Sequence, residues 1–203
     1  MKWPARDRFA LVLMCVFAAY QVSVGTEGYA AIPTAAYTVG FGVLLVAGLL
    51  LIILGREVLD AAAVVILSTI VPLSISVGLV WQFMEQARVP HAVFATLGLL
   101  AVVLTRSVPT AERLQVLTLA IVHGVAGTII FLLPLAMSAG GRAGPGFAIV
   151  GIGGALMGAG GLLLAFARLG KPILPRSTVL PALPGLLLIT TALFVAGFRF
   201  GLP

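Results

Sequence analysis

Apolar residues dominate seven segments of the chain, and short polar stretches separate them. Each segment is about 20 residues long, which is the length of helix needed to cross the hydrocarbon core of a bilayer. We expect the spans at about 9–24, 35–54, 61–83, 90–105, 114–137, 146–167 and 179–198. The gaps between the spans are too short for a soluble domain. The pattern therefore predicts a single all-α transmembrane domain, a polytopic membrane helix bundle of seven helices.

The composition supports this prediction and removes one class of function. Of the 203 residues, 61% are hydrophobic and 9% are charged, whereas a soluble domain carries about 25% charged residues. The formal net charge is +6, but the basic residues lie at the ends of the apolar segments and not in an aromatic-rich basic stretch. We therefore expect the lipid bilayer as a partner, and no nucleic acid.

The distribution of Lys and Arg predicts how the helices cross the membrane. If the N-terminus lies inside, the inside segments hold most of the 12 basic residues, namely Lys2, Arg6, Arg8, Arg56, Arg106, Arg113, Arg168, Lys171 and Arg176. The outside segments hold Arg88, Arg142 and Arg199. The positive-inside rule then predicts a multi-pass cell-membrane protein with its N-terminus cytoplasmic and its C-terminus outside. The basic, then apolar, start also resembles a signal peptide, but we prefer an anchored first helix, and both place the N-terminus inside.

The sixth span, 146–168, is rich in glycine and gives the clearest packing signal. At 100° per residue, one stripe about 80° wide holds Gly151, Gly154, Gly158 and Gly161. A second stripe, well round the helix, holds Gly146, Gly153 and Gly160. Small residues allow close approach between membrane helices. We expect this helix to be among the most buried, with close neighbours on two sides. Whether it also slides against them stays open.

An internal similarity suggests a repeat. At an offset of about 112 residues, Arg56 pairs with Arg168 and Pro72 pairs with Pro184. Spans 1 to 3 would then correspond to spans 5 to 7, with span 4 as the connector, in a 3+1+3 arrangement of parallel repeats. The alternative is a chance match, because Leu, Ala and Gly are so frequent in this chain.

Few polar residues fall inside the predicted spans, and these are the candidates for an intramembrane site. The clearest is His123 in span 5, with Gln21 in span 1 and Ser74 and Ser76 in span 3. An intramembrane histidine can carry protons, ligate a metal or bind a substrate. The alternative is a neutral histidine that bonds to a neighbouring helix or a carbonyl group. The serines flank Pro72, so they either form a polar seam or satisfy carbonyl groups that the proline frees.

Three further polar residues, Glu85, Arg88 and His91, group at the predicted outer ends of spans 3 and 4. We expect Glu85 and Arg88 to be solvated. His91 and His123 differ in depth by roughly 15–20 Å, so we do not expect the two histidines to ligate a haem. The single cysteine lies in an apolar span, and no cluster of His, Cys, Asp and Glu has metal-ligand spacing. No catalytic residue, cofactor or metal is predicted.

The sequence leaves three functions open. The first is a small transporter or channel for a small solute, which the glycine-rich span, the proline in span 3 and the repeat favour. The second is an accessory or assembly subunit of a larger membrane complex, bound to other membrane subunits or to itself, which the scarcity of polar residues favours. The third is a membrane enzyme acting on lipid or quinone. A polar cavity near the midplane would distinguish a transporter from a subunit with a dry interior.

Overall fold

The computed structural model describes residues 3–26, 29–168 and 173–201, and this part of the chain is all-α. Seven helices are long and apolar enough to span a membrane, so the fold class is confirmed and the chain is a multi-pass membrane protein. They are α1 (Ala5–Val24), α2 (Ala31–Leu54), α3 (Ala62–Phe83), α4 (Arg88–Ser107), α5 (Glu112–Ala139), α6 (Ala148–Arg168) and α7 (Arg176–Phe200). Lys2 and Lys171, two of the basic residues predicted to lie inside, are not among the described residues.

Glycine ends two of the helices, and proline lies inside two others. Gly25 and Gly55 end α1 and α2 with φ of 63° and 80°, a conformation that residues with a Cβ rarely adopt. Pro72 and Pro134 lie inside α3 and α5. Each removes one backbone hydrogen bond from its helix, and packing against a neighbour compensates for this within a membrane.

Six of the helices form a closed ring in which α1 contacts α2, α2 contacts α3, α3 contacts α5, α5 contacts α6, α6 contacts α7 and α7 contacts α1. Helix α4 packs outside this ring against α3 and α5. We call this arrangement the six-helix ring. The 3+1+3 repeat and the cytoplasmic N-terminus stay predictions.

Side-chain bonds define the two ends of the bundle. The Nε1 of Trp3 donates to the Leu51 carbonyl oxygen at 2.9 Å, which joins the start of α1 to the end of α2. The Tyr37 hydroxyl donates to Oε1 of Gln82 at 3.1 Å, which joins the start of α2 to the end of α3. Neighbours in sequence therefore run antiparallel. We call the end with Trp3 the basic end and the end with Gln82 the opposite end.

Aromatic side chains fill the interior of the six-helix ring toward the opposite end. The ring centroids of Tyr37 and Phe198 are 4.5 Å apart, and those of Phe147 and Phe198 are 5.9 Å apart. Phe41 meets Phe194 edge-on at 6.5 Å. Such tilted and edge-on contacts are the favoured geometries for aromatic pairs. These residues come from α2, from the turn before α6 and from α7, so one cluster ties both sides of the ring together.

The most buried span is α3, followed by α7, and the described part of α6 is only level with α1 and α2, so the glycine-rich helix is not the central helix of the bundle. In the most apolar window of each span, 56% of α3 residues are buried, against 33% for α6. Helix α3 is surrounded by α2, α4 and α5, whereas α6 contacts α5 and α7 and leaves Ile152 and Leu162 exposed. Small residues bring two helices close together, but they do not place a helix at the centre of a bundle.

Candidate functional site

His123 links α5 to the proline-containing part of α3. Its Nδ1 lies 3.1 Å from the carbonyl oxygen of Leu119 in its own helix, and the ring also lies beside the backbone of Ser68 in α3. Pro72 has no N–H, so the Ser68 carbonyl, four residues earlier, lacks its usual helical donor. A neutral imidazole has a single N–H, so His123 can donate either to Leu119 or to this carbonyl group that the proline leaves free. This geometry is that of a helix-linking histidine.

His91 makes a second link, between α4 and α3. Its Nε2 lies 3.0 Å from Oγ of Ser76, and that hydroxyl donates its single proton to the Leu73 carbonyl at 2.9 Å. The imidazole nitrogen must therefore be the donor, which places the proton of the neutral ring on Nε2. The ring also stacks on Phe94, with centroids 5.8 Å apart. Only 8% of His91 is exposed, so this residue is part of the packing between the two helices.

The predicted polar residues do not converge on one site. Ser74 lies on the α2 side of α3, because its Cβ is 3.6 Å from where a Cβ of Gly40 would be. Ser76 faces α4 through His91. In α1, Gln21 donates from Nε2 to the Gly25 carbonyl at 2.8 Å and so closes the end of its own helix. The four candidates thus belong to three separate helix contacts and, for Gln21, to the end of its own helix.

Other hydroxyl groups in the spans are also used within their own helices. Thr69 donates to the Val65 carbonyl at 2.8 Å, and Thr191 donates to the Leu187 carbonyl at 2.7 Å. Both threonines are fully buried. Bonds of this kind satisfy a buried hydroxyl without offering a polar surface to a solute.

Glu85 and Arg88 lie at the opposite end of the bundle, on the turn between α3 and α4. Glu85 is exposed, while Arg88 is partly covered and donates from Nε to the Trp81 carbonyl at 2.7 Å. The Nη1 of Arg88 is 3.7 Å from Oε1 of Glu85. An exposed pair at this distance contributes little stability, so both charges remain available to a ligand.

Two polar clusters in the structure were not predicted from the sequence. At the opposite end, the Tyr29 ring lies tilted against that of Tyr37, with centroids 5.8 Å apart, close to the Gln82 amide. Burial raises the pKa of Tyr29 to about 12, so this phenol stays protonated at physiological pH. The sequence does contain a signal for this cluster. A Tyr before one span and a Gln at the end of the next can meet when neighbouring helices run antiparallel.

At the basic end, Asp7 is 4% exposed and lies between two arginines. Its Oδ1 is 3.3 Å from Nε of Arg6, and its Oδ2 is 3.8 Å from Nη2 of Arg56. The Arg56 guanidinium also lies 4.7 Å from the ring centroid of Trp3. This cluster fastens the start of α1 to the turn after α2. In the sequence, the one indication of this cluster is an acidic residue within the basic N-terminal stretch.

The first glycine stripe is in close contact with α5 over half of its length. A Cβ on Gly151 would lie 2.6 Å from the Phe131 carbonyl oxygen, and a Cβ on Gly154 would lie 3.0 Å from the Ile130 carbonyl carbon. Ile130 is four residues before Pro134, so its carbonyl also lacks a helical donor. The missing side chain at Gly154 lets the α6 backbone lie against this freed carbonyl group.

The second glycine stripe packs against α7. A Cβ on Gly153 would lie 2.9 Å from the ring of Phe194, and Gly160 lies directly against the side chain of Leu186. Gly146 lies against the backbone of Phe200. Helix α6 therefore has close neighbours on two sides, one for each stripe.

Toward the basic end, the contact between α5 and α6 opens. A Cβ on Gly158 or Gly161 would meet no heavy atom within 4 Å, and the same is true of Gly124 and Gly127 on α5. Gly158 and Gly161 follow Gly151 and Gly154 by seven residues, so they point the same way round α6. Because the two helices run antiparallel, the α5 glycines lie at a similar depth. We call these four residues, Gly124, Gly127, Gly158 and Gly161, the open seam.

The arrangement contains no recognisable reaction centre in the part of the chain that the structure describes. No group of three or more His, Cys, Asp or Glu side chains in those ranges could hold a metal ion. The two histidines each contact a different face of α3, through Ser68 and Ser76. No protein-family model, curated protein or solved structure matches the chain.

Proposed function

We propose that this chain is an accessory or assembly subunit of a larger membrane protein complex. The open seam is the observation that carries the proposal. A glycine surface that packs tightly at Gly151 and Gly154 continues through Gly158 and Gly161, where no atom lies within 4 Å of a Cβ position. Small residues on a lipid-facing surface allow a helix of another membrane protein to approach closely.

The polar residues of the interior support the same proposal. His91 bonds to Ser76 of α3, His123 lies beside the Ser68 backbone of α3, and Thr69 and Thr191 bond to carbonyl groups of their own helices. The aromatic cluster around Phe198 fills the ring toward the opposite end. An interior in which these polar groups bond within the chain suits a subunit whose task is to pack against others.

A transporter of a small solute is the second candidate, and one observation favours it. Ser68 is exposed although it lies on the same face of α3 as Ile75, which is buried in the core seven residues away. The ring is thus less filled toward the basic end than toward the opposite end. In that reading, the open seam is an entrance between α5 and α6 that leads to Ser68 and His123.

Affinity purification from native membranes tests the proposal. We expect the unaltered chain to purify with at least one other membrane protein in fixed stoichiometry, and Gly158→Leu to lose that protein. Gly42→Leu is the matched control, because Gly42 in α2 also has no atom within 4 Å of a Cβ position. The proposal is wrong if the chain purifies alone and the purified chain moves a solute across vesicles.

A further inference from the structure

A groove lies on the outside of the bundle near the opposite end, between the last turn of α3 and the first turns of α4. Its volume is about 310 Å³, and it is lined by Trp81, Val89, Ala92, Val93, Thr96 and Leu97. The one hydroxyl group among these residues, that of Thr96, donates to the Ala92 carbonyl at 2.9 Å. The lining therefore presents an apolar surface to whatever occupies the groove.

The position of the groove sets its surroundings. Val89 and Leu97 are eight residues apart in α4, which corresponds to about 12 Å along the helix axis. Both are exposed, and both belong to a helix of membrane-spanning length. The groove thus runs parallel to lipid acyl chains. Its length matches the part of one acyl chain that is nearest to the headgroup.

A cation lies at the mouth of the groove. The Arg88 guanidinium is 6.0 Å from the ring centroid of Trp81, and the Arg88 Nε bond to the Trp81 carbonyl holds it there. Tryptophan is typical of the level where headgroups meet the hydrocarbon core. Arginine presents a planar fork of donors that matches the oxygen atoms of a phosphate group.

We propose that this groove binds one phospholipid, with an acyl chain along Val89, Val93 and Leu97 and the phosphate group on Arg88. Charge complementarity favours this occupant over the apolar helix of a partner, which would cover the guanidinium without offering an anion. The weak contact with exposed Glu85 does not prevent phosphate binding, because a phosphate oxygen can replace that carboxylate at Nη1. This site is independent of the open seam, which lies on other helices.

Fluorescence quenching tests the proposal directly, because the chain has 2 tryptophans. In Trp3→Phe, only Trp81 in the groove wall remains to report binding. Titrating the detergent-solubilised full-length chain with brominated phosphatidylcholine should give saturable quenching. Arg88→Gln in the same background should weaken binding about fivefold, the size of one basic contact with a headgroup. Brominated diacylglycerol, which lacks the phosphate, should bind more weakly than phosphatidylcholine and equally to both variants.

Arg199→Gln is the matched control, because Arg199 is an exposed arginine in the last turn of α7 at the same end of the bundle. It should leave the titration unchanged. Equal quenching in Arg88→Gln and its parent, or by diacylglycerol and phosphatidylcholine, would overturn the proposal.

Native mass spectrometry gives a second readout that keeps both tryptophans, in case Trp3→Phe does not fold. We expect a phospholipid adduct on the unaltered chain and on Arg199→Gln that is depleted in Arg88→Gln. An adduct with the mass of a polypeptide, competing with the lipid, would assign the groove to a protein partner and overturn the proposal.

Discussion

The two halves of the contact between α5 and α6 differ sharply although both are lined by glycine. Toward the opposite end, Gly151 and Gly154 lie so close to α5 that a Cβ would meet backbone atoms at 2.6 and 3.0 Å. Toward the basic end, Gly158 and Gly161, on the same stripe, have no atom within 4 Å of a Cβ position. A glycine stripe therefore marks where a helix can be approached closely. It does not say that the approaching helix belongs to the same chain.

The largest expected effect comes from filling the packed half. Gly154→Leu places a side chain against the Ile130 carbonyl group, where the backbone of α5 cannot move aside without breaking further bonds. We expect the free energy of unfolding to fall by about 3 kcal/mol, as in overpacked cores. The change is measured by denaturant unfolding of the chain in detergent.

The matched variant in the open half separates fold from interface. Gly158→Leu should change the free energy of unfolding by no more than about 0.5 kcal/mol, because the new side chain enters unoccupied space. Equal destabilisation by Gly154→Leu and Gly158→Leu would show that the two halves do not differ.

The histidines sharpen the comparison, because they join α3 to neighbouring helices at two depths. His123→Leu removes the imidazole N–H that can donate to the Ser68 carbonyl, and we expect a loss of about 1–3 kcal/mol in unfolding free energy. His123→Gln, which can still donate, should recover part of that loss. If both variants unfold like the parent, the contact between His123 and Ser68 does not hold α3 to α5.

A smaller effect is expected at the second histidine. Ser76→Ala removes the acceptor for Nε2 of His91, but α3 and α4 remain packed through Leu73 and Ala95. We expect a loss of about 1 kcal/mol in unfolding free energy. Nitrogen NMR of the labelled parent should show the neutral ring of His91 protonated at Nε2. A neutral ring protonated at Nδ1 would contradict the donor assignment.

The smallest effect on stability at neutral pH is expected from Tyr29, at the opposite end of the bundle. The folded-state pKa of Tyr29, about 12, is above the ordinary value of 10.0. The neutral phenol is therefore favoured in the folded chain, and its contribution is present below pH 10 and lost between about pH 10 and 12. Tyr29→Phe should remove this part of the alkaline loss of stability, as measured by unfolding at pH 8 and pH 11. An identical pH dependence in parent and variant would contradict the assignment.

The sequence predicts the helices well because their signal is local. Runs of apolar residues predicted seven spans, and each predicted span lies largely within one of the observed helices. Burial order could not be predicted in the same way. The stripe in α6 shows which face is small, while the central place of α3 depends on which helices surround it. That information is distributed over the whole chain.

The candidate site shows the same limit. His123 was singled out for its rarity in a span, but its contact with Ser68 depends on α3 and α5 being neighbours in the ring. Tyr29 and Asp7 were not predicted because each lies beside a residue from a distant part of the chain, namely Gln82 and Arg56. Polar residues near span ends are therefore better candidates when they are considered in pairs across antiparallel neighbours.

Cross-linking from the open seam tests the central claim most directly. Cys15 is the single cysteine of the chain and is buried in α1, so Cys15→Ala with Gly158→Cys places one thiol in the seam. We predict that a thiol cross-linker applied to native membranes joins this position to a second membrane polypeptide. Leu97→Cys, on the exposed face of α4, should give no such product in the same background. Recovery of Gly158→Cys without a cross-linked partner, under conditions where a small thiol reagent labels it fully, would contradict the account.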